Sequence, residues 1–246
     1  MSTIPEPVPV PDVPVAFTST VLEAFGSRPG ARFALVLSGG PTAQLCYENL
    51  RQATTAGGPK QDAISWPLVD VYMGDERVVP PDDPDANQRL VRESLLDGLG
   101  AAGPVGSFTP MPTSGPIEDC VADYQRTLAE VLAGPGIDLI HLGMGPDGHT
   151  ASLFPNAPTL NAGPDELVAA TQDPNGRNPH PRLTVTLPVI NSAREAVFTV
   201  AGESKQDAIA ALRRGDDIPA ARVKAARVVW LIDEAASGPE PASASA

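Results

Sequence analysis

The stretch RFALVLSGGPTAQLCYENLRQA, residues 32–53, contains the pattern that decides the fold. Its first part, RFALVL (32–37), is a short apolar run, which is typical of a strand buried in a parallel sheet. The SGG that follows predicts a tight turn, and the residues from Pro41 or Thr42 onward carry apolar side chains at helical spacing. The stretch therefore predicts a strand, a glycine turn and a helix.

The same alternation continues along the chain and predicts an α/β fold, in which a mostly parallel sheet is flanked by helices within a single domain. Further strands are predicted at 68–73, 137–144, 182–187, 196–201 and 227–233. Further helices are predicted after Asp12, which is a candidate N-cap, and at about 88–96, 117–133 and 204–214.

The two ends of the chain differ from this pattern. The first eleven residues, MSTIPEPVPVP, contain too many prolines for a central strand and predict at best an edge strand. Residues 235–246 have too little apolar content to fold. We therefore expect one domain over residues 1–234, followed by a disordered tail over 235–246.

Composition excludes several classes of protein. The 30 acidic and 17 basic residues give a formal charge of −13, which argues against general affinity for nucleic acid or anionic membranes. Cys46 and Cys120 lack the spacing of a metal site and indicate reduced thiols. The chain has no basic residue before Arg28 and no apolar stretch long enough for a signal peptide or a membrane span. A soluble, cytoplasmic protein is expected.

Four polar segments follow predicted strands, at the sheet edge where ligands of α/β proteins bind. They are SGGPT (38–42), GDERVVP (74–80), GPDGHTAS (145–152) and AGESK (201–205).

The first segment could hold a phosphate, because Gly39 and Gly40 allow close backbone approach and precede a helix N-terminus. It matches neither GxxxxGK[ST] nor GxGxxG, and a plain strand-to-helix turn remains an equal alternative.

In the second segment, GDERVVP, the side chains of Asp75, Glu76 and Arg77 alternate in direction, so at least one should enter the cleft. The guanidinium of Arg77 suits a phosphate, although a surface ion pair is equally compatible.

Two further basic residues are candidates for anion binding. Lys205 is predicted at the start of a helix, where an ammonium conflicts with the helix dipole unless an anion is bound. Arg182 begins a predicted strand, and an ordinary loop arginine is nearly as good an interpretation.

The third segment holds the best candidate for catalysis. Gly143, Gly145 and Gly148 permit a tight backbone around His149, and a free imidazole has a pKa of about 6.5, which suits a general base. Thr150 and Ser152 are predicted to cap a following short helix. The other two histidines, His141 and His180, are interpreted as structural.

At these residues the chain resembles the 6-phosphogluconolactonase family. The matching stretches are LSGGPT, GDERVVPPDDPDANQRL, GMGPDGHTASLFP, RLTVTLPVIN and VAGESK, in order from Leu37 to Lys205. The resemblance implies the fold shared with glucosamine-6-phosphate deaminase and ribose-5-phosphate isomerase. It also implies hydrolysis of 6-phospho-D-glucono-1,5-lactone in the oxidative pentose phosphate pathway, without an obligatory cofactor. No metal site is expected from the residues.

Carried over motif by motif, the resemblance implies that His149 is catalytic and that Asp147 is its companion. It places the substrate and phosphate contacts at Ser38, Gly39, Gly40, Thr42, Asp75, Arg77, Asn87, Arg182 and Lys205. The glycine turn departs from the family pattern, because it reads SGGPTA where many relatives have SGGSTP, which leaves Thr42 to supply the hydroxyl. A second departure is DAN where SN is common, with Ala86 in place of the serine.

Two alternatives stay open. A glucosamine-6-phosphate deaminase also carries a DGH loop, but its pattern continues with an asparagine–glutamate pair where this chain has Leu153 and Phe154. A sugar-phosphate sensor would need a DNA-binding module, and the chain has neither a spare segment nor a basic face for one. The expected partner is a small sugar-phosphate lactone, and the oligomeric state is left open, a monomer being compatible with the sequence.

Overall fold

The structure, a computed structural model, describes residues 6–176 and 179–238. Nine strands occur in these ranges: β1 (Phe33–Leu37), β2 (Val69–Met73), β3 (Asp75–Arg77), β4 (Ser107–Thr109), β5 (Leu139–Gly143), β6 (Val168–Thr171), β7 (Arg182–Val185), β8 (Glu195–Val200) and β9 (Arg227–Ile232). Six of them form a sheet in the order β4-β2-β1-β5-β8-β9, and each neighbouring pair is parallel. The predicted fold class is confirmed.

Helices flank this sheet. In the described ranges they are α1 (Val13–Gly26), α2 (Pro41–Thr54), α3 (Asn87–Ser94), α4 (Ile117–Ala133), α5 (Leu187–Ser192), α6 (Gln206–Arg214) and α7 (Glu234–Ser237). The carboxylate of Asp12 accepts a hydrogen bond of 2.9 Å from the backbone N–H of Val15, which confirms the predicted N-cap of α1. No helix within the described residues is long and apolar enough to cross a membrane.

A second, smaller sheet was not predicted. Strands β3, β7 and β6 pair antiparallel in that order, so the predicted strand at 182–187 belongs to this sheet and not to the parallel one. The sequence pattern missed β3, β4 and β6, because strands of three or four residues carry too few side chains to show a periodicity. Strand β7 is as short, and it was predicted because the alternation of RLTVTL extends beyond it, over 182–187. In this sheet Arg77 lies directly opposite Arg182.

The core fills the space between the parallel sheet and its helices. Every residue of β1 and of β8 is buried, as the continuous apolar run of β1 predicts. Phe17 on α1 and Trp66, just before β2, are among the largest fully buried side chains. This packing fixes the positions of the strand ends from which the polar loops leave.

The two termini correct and refine the sequence predictions. Near the N-terminus Pro9 forms a single parallel bridge to Ile232, beside β9, in agreement with an edge position for the proline-rich segment. The predicted tail boundary at residue 235 is wrong, because Glu234–Ser237 form the helix α7. Asp233 caps this helix by accepting a hydrogen bond of 2.7 Å from the N–H of Ala236, and Ala236 is buried. The remaining tail residues, 239–246, lie outside the described residues.

Candidate active site

A cavity of about 300 Å³ opens where the chain leaves the carboxyl ends of β1, β5 and β8. Loops and helix N-termini converge at this edge of a parallel sheet. Ten of the predicted site residues line it: Ser38, Gly39, Gly40, Thr42, Asp75, Arg77, Asn87, His149, Arg182 and Lys205. The eleventh, Asp147, lies behind His149 and outside this lining.

The glycine turn after β1 leads directly into α2. Gly40 is the N-cap of α2 with φ of +106°, a conformation that favours glycine, and within the described residues no side chain caps this N-terminus. A Cβ atom on Gly39 would collide with the side-chain amide of Asn87, so glycine is needed there as well. The free N–H groups at the start of α2 can therefore receive an anion.

Ser38 is anchored inward. Its backbone N–H donates to the hydroxyl of Tyr47 at 3.0 Å, and its own hydroxyl donates to the carbonyl of His141 at 2.7 Å. The hydroxyl hydrogen is therefore already used, and a phosphate contact by Ser38 would not come from that donor.

His141 supports this anchor from the core. Its ring is fully buried, with Nδ1 at 2.7 Å from the Tyr47 hydroxyl and Nε2 at 2.8 Å from that of Thr199. Burial lowers the pKa of His141 to about 3. A permanently neutral ring with both nitrogens occupied is consistent with the structural role expected for this residue.

The three charged residues of β3 alternate as predicted. Asp75 and Arg77 line the cavity, whereas Glu76 is fully buried on the other side. The Glu76 carboxylate accepts from the backbone N–H groups of Asn87 and Gln88, both at 2.7 Å, and so caps α3. Burial raises the pKa of Glu76 to about 7, against the effect of these hydrogen bonds.

Arg77 and Arg182 form a pair of cations beside the cavity. As directly opposed residues of antiparallel strands they project from the same face of the small sheet, an arrangement that is destabilising for like charges. Arg77 donates to the carbonyl of Asp85 at 2.5 Å, and Arg182 donates to the hydroxyl of Ser152 at 3.2 Å. The Nε atoms of both are buried without a hydrogen-bond partner among the described residues. A bound anion would satisfy both the charge and these donors.

Lys205 approaches the cavity from another side. It ends the short 3-10 turn Glu203–Lys205 and directly precedes α6, so its predicted place at the start of a helix is confirmed. The side of the cavity formed by the end of β8 therefore also carries a cation.

His149 and Asp147 form a hydrogen-bonded pair. Nδ1 of His149 lies 2.6 Å from Oδ1 of Asp147, and the other carboxylate oxygen accepts from the amide of Asn175 at 3.1 Å. Burial alone would raise the pKa of Asp147, but the hydrogen bonds and charge interaction with His149 outweigh it and lower this pKa to about 2. An ionised carboxylate only accepts, so Nδ1 carries the hydrogen and Nε2 is left as the proton acceptor of the neutral ring.

The backbone of this loop is shaped around the imidazole. A Cβ atom on Gly145 would collide with Cε1 and Nδ1 of the His149 ring, so only glycine allows the loop to pass there. On its other side the ring packs against Phe154, with 4.9 Å between the ring centroids. The imidazole is thus held from two sides and by one hydrogen bond.

One prediction for this loop is wrong. Thr150 and Ser152 do not cap a helix: the Thr150 hydroxyl donates to the carbonyl of Gly143 at 2.9 Å, and the Ser152 hydroxyl donates to Asp75 at 2.7 Å. The loop closes on itself and on the small sheet, and these tertiary acceptors use the hydroxyl groups that a cap would need.

The structure also adds residues that the sequence did not indicate. Asp173 and Thr199 line the cavity, and Ser152 lies between Asp75 and Arg182. Asp173 follows β6, which had no recognisable pattern. Within the described residues no group of three or more His, Cys, Asp or Glu side chains could hold a metal ion.

Comparisons with known proteins agree on one family. The family model described as glucosamine-6-phosphate isomerases/6-phosphogluconolactonase matches residues 15–230. Curated 6-phosphogluconolactonases from Synechocystis and from Homo sapiens are 38% and 36% identical to this chain. The alignment with the Synechocystis protein covers 90% of this chain and 90% of that protein. The alignment with the human protein covers 84% of this chain and 80% of that protein.

Solved structures agree as well. The crystal structure of 6-phosphogluconolactonase from Thermotoga maritima has a TM-score of 0.75 and 28% identity, covering 92% of this chain and 98% of the other. A monomeric glucosamine-6-phosphate deaminase has a TM-score of 0.76 at 17% identity, covering 93% and 97%, and shows the shared fold alone.

Proposed function

The chain belongs to the family of glucosamine-6-phosphate isomerases and 6-phosphogluconolactonases, and from this premise we propose a reaction for its cavity. It is a lactone-hydrolysing enzyme that converts 6-phospho-D-glucono-1,5-lactone to 6-phospho-D-gluconate in the oxidative pentose phosphate pathway. One observation carries the proposed mechanism: an oriented imidazole, with its acceptor nitrogen defined by Asp147, lines the same cavity as three cationic side chains.

In the proposed mechanism His149 is the general base. Its Nε2 removes a proton from a water molecule as the oxygen attacks C1 of the lactone. The same proton is then returned to the ring oxygen as the bond between that oxygen and C1 breaks. Assistance of this kind contributes typically ~10²–10⁴-fold to the rate.

Asp147 acts on this step through His149. Its carboxylate stays ionised, because its pKa is lowered to about 2, and it stabilises the imidazolium that forms when the proton is taken up. It also holds Nδ1 in the protonated form, so that Nε2 remains the acceptor.

The phosphate is proposed to bind between Arg77, Arg182 and Lys205, close to the N-terminus of α2. The unpartnered Nε atoms of the two arginines support this assignment, since a phosphate offers several acceptors at once. Binding energy at this remote group would orient C1 against His149.

Asp75 and Asn87 are proposed to shape the sugar site. The Asn87 amide donates to Asp75 Oδ1 at 3.2 Å, and its side chain packs against Gly39. This contact joins the glycine turn to β3 and fixes the distance between the α2 N-terminus and the arginines.

This chain lacks the carboxylate that the glucosamine-6-phosphate deaminase pattern has a few residues after the histidine. Leu153 and Phe154 occupy the positions where the deaminase pattern has an asparagine and a glutamate, and both are buried. No ionisable group at those positions can move a proton in the cavity.

A direct comparison of two reactions tests the proposal. The purified chain is given 6-phosphogluconolactone, and formation of 6-phosphogluconate is followed above the spontaneous opening of the lactone. The same preparation is given glucosamine 6-phosphate, and ammonia release is measured. We expect rapid lactone opening and no ammonia above background, whereas ammonia release without catalysed lactone opening would refute the assignment.

We also propose that the enzyme works in the cytoplasm, as a single domain and without a nucleic-acid partner. The net charge of −13 supports the last point.

A further inference from the structure

Ser152 lies between a carboxylate and a guanidinium at the edge of the cavity. Its hydroxyl donates to Oδ2 of Asp75 at 2.7 Å and accepts from Nη1 of Arg182 at 3.2 Å. The two charged groups themselves are 4.0 Å apart at their nearest atoms. All three side chains are buried, and Ser152 has no exposed surface.

This separation is unusual for a buried pair of opposite charges. A guanidinium and a carboxylate that can meet form short, often bidentate hydrogen bonds, with N–O distances of about 2.7–2.9 Å. A direct contact would use the N–H groups of Arg182 that could otherwise bind a ligand. Here Nη1 is used through the neutral hydroxyl of Ser152, and Nε of Arg182 is buried without a partner among the described residues.

Ser152 is itself held firmly in place. Its backbone N–H donates to the hydroxyl of Thr184 at 3.1 Å, and Thr184 on β7 is the register partner of Asp75 on β3. The backbone of Ser152 is therefore anchored to both strands that carry the charged residues. Its hydrogen bonds to Asp75 and Arg182 then hold the hydroxyl between the two charged groups.

We propose that Ser152 is a positioning residue, a spacer that prevents Arg182 from closing onto Asp75 and so keeps its guanidinium available for the phosphate of the substrate. The choice of phosphate as the anion rests on the proposed function. The spacer itself rests on the geometry of Ser152, Asp75 and Arg182 alone. Burial also lowers the pKa of Arg182, so an anion in contact with this side chain would stabilise its charged form.

The test removes the Ser152 hydroxyl in the presence and in the absence of the Asp75 carboxylate. Ser152→Ala is made in the native background and in an Asp75→Asn background, and the Kd of inorganic phosphate is measured by calorimetric or NMR titration. In the native background we expect the Kd to rise about 5–20-fold, because Arg182 closes onto Asp75. In the Asp75→Asn background we expect a change below about 2-fold, because the competing charge is absent.

A matched control removes a buried serine hydroxyl elsewhere. Ser94 on α3 is also buried, and its hydroxyl donates to the carbonyl of Leu90 at 2.6 Å. Ser94→Ala should leave the phosphate Kd unchanged. If the alanine variant at position 152 loses its near-UV spectrum, Ser152→Cys, which retains the approximate volume with a weaker donor, replaces it.

Kinetics provide a second readout. The KM for the phosphorylated lactone should rise in parallel with the phosphate Kd in Ser152→Ala, while kcat stays within about 2-fold, because the spacer acts on binding. A crystal structure of this variant should show Arg182 in direct contact with Asp75.

Equal weakening of phosphate binding in both backgrounds would show a general packing role and overturn the proposal, as would unchanged binding in both. The dependence on Asp75 is measured without turnover. Failure of the wild-type chain to open the lactone would therefore refute the proposed function while leaving this result to be judged separately.

Discussion

Replacing Asp147 by Asn tests how His149 is oriented. The carboxylate accepts from Nδ1 at 2.6 Å and so defines which nitrogen accepts the proton. An Asn side chain of the same shape has no charge to stabilise an imidazolium. With its NH₂ group toward Nδ1 it would also select the tautomer whose Nε2 is protonated and cannot act as a base.

The expected size of the effect follows from the strength of this pair. The lowering of the Asp147 pKa from 3.8 to about 2 corresponds to roughly 2 kcal/mol in favour of the ionised carboxylate, most of it from the hydrogen bond and charge of His149 and the rest from backbone hydrogen bonds. The Asp147 side chain is 20% exposed, so solvent screening reduces this to about 1–2 kcal/mol. Because the interaction grows stronger as the imidazolium forms, kcat should fall about 5–30-fold while KM changes less than about 2-fold.

The assay is initial-rate lactone hydrolysis, corrected for spontaneous opening. A matched control is Asp85→Asn. The carboxylate of Asp85 also contacts a histidine, with Oδ2 at 3.2 Å from Nε2 of His180, and removing its charge should leave kcat unchanged. A wild-type kcat in Asp147→Asn would refute the orienting role. A rise in KM with an unchanged kcat would refute it as well.

Three further predictions concern the cations, the glycine loop and the core. Arg77→Ala should raise KM for the phosphorylated lactone about 10–100-fold and hardly affect unphosphorylated gluconolactone, with only partial rescue by Arg77→Lys; equal losses on both substrates would contradict phosphate binding. Gly145→Ala should reduce kcat about 100-fold, because the new Cβ displaces the His149 ring, whereas Gly143→Ala, whose Cβ would meet nothing within 4 Å, should be near wild type. Because the folded-state pKa of His141 lies at about 3, below the ~6.5 of a free imidazole, the folded form binds fewer protons between these values. The free energy of unfolding should therefore fall by about 1.4 kcal/mol per pH unit as the pH drops below ~6.5. Urea titrations of His141→Gln at several pH values should not show this contribution to the pH dependence.

All strands of the parallel sheet except the edge strand β4 could be predicted from the sequence, because its central strands are short, mostly apolar segments. The strands FALVL, LIHLG and EAVFTV are each followed by a polar or glycine-containing loop. Since parallel strands end at one edge, the loops that follow them had to meet there. The prediction that Gly39, Arg77, His149 and Lys205 line one cavity came from that rule, and all four residues do line it.

The small antiparallel sheet could not be predicted in the same way. Its strands β3 and β6 contain three and four residues, too few for an alternating pattern. The direct opposition of Arg77 and Arg182 is a matter of register, which no local sequence signal encodes. The contact between Ser152 and Asp75 joins residues 77 positions apart and became visible only in three dimensions.

The resemblance implied that Asp147 is the companion of His149, but the hydrogen bond between them could not be worked out from the residues alone. Asp147 and His149 are two positions apart, a spacing that is compatible with contact or with opposite directions. Gly145 decides between these, because its lack of a Cβ atom allows the ring to lie against the loop and reach the carboxylate. Local chain shape, rather than spacing, creates the pair.

The most direct test of the mechanism is the pH–rate profile of His149→Asn. Asn keeps approximate size and polarity but cannot accept a proton at neutral pH. Turnover should fall by ~10²-fold or more, phosphate binding should survive, and the decline of wild-type kcat toward acidic pH should disappear in the variant. An Asn variant with near wild-type turnover and the same acidic decline would contradict the mechanism, and the base would then have to be sought at Asp75 or Asp147.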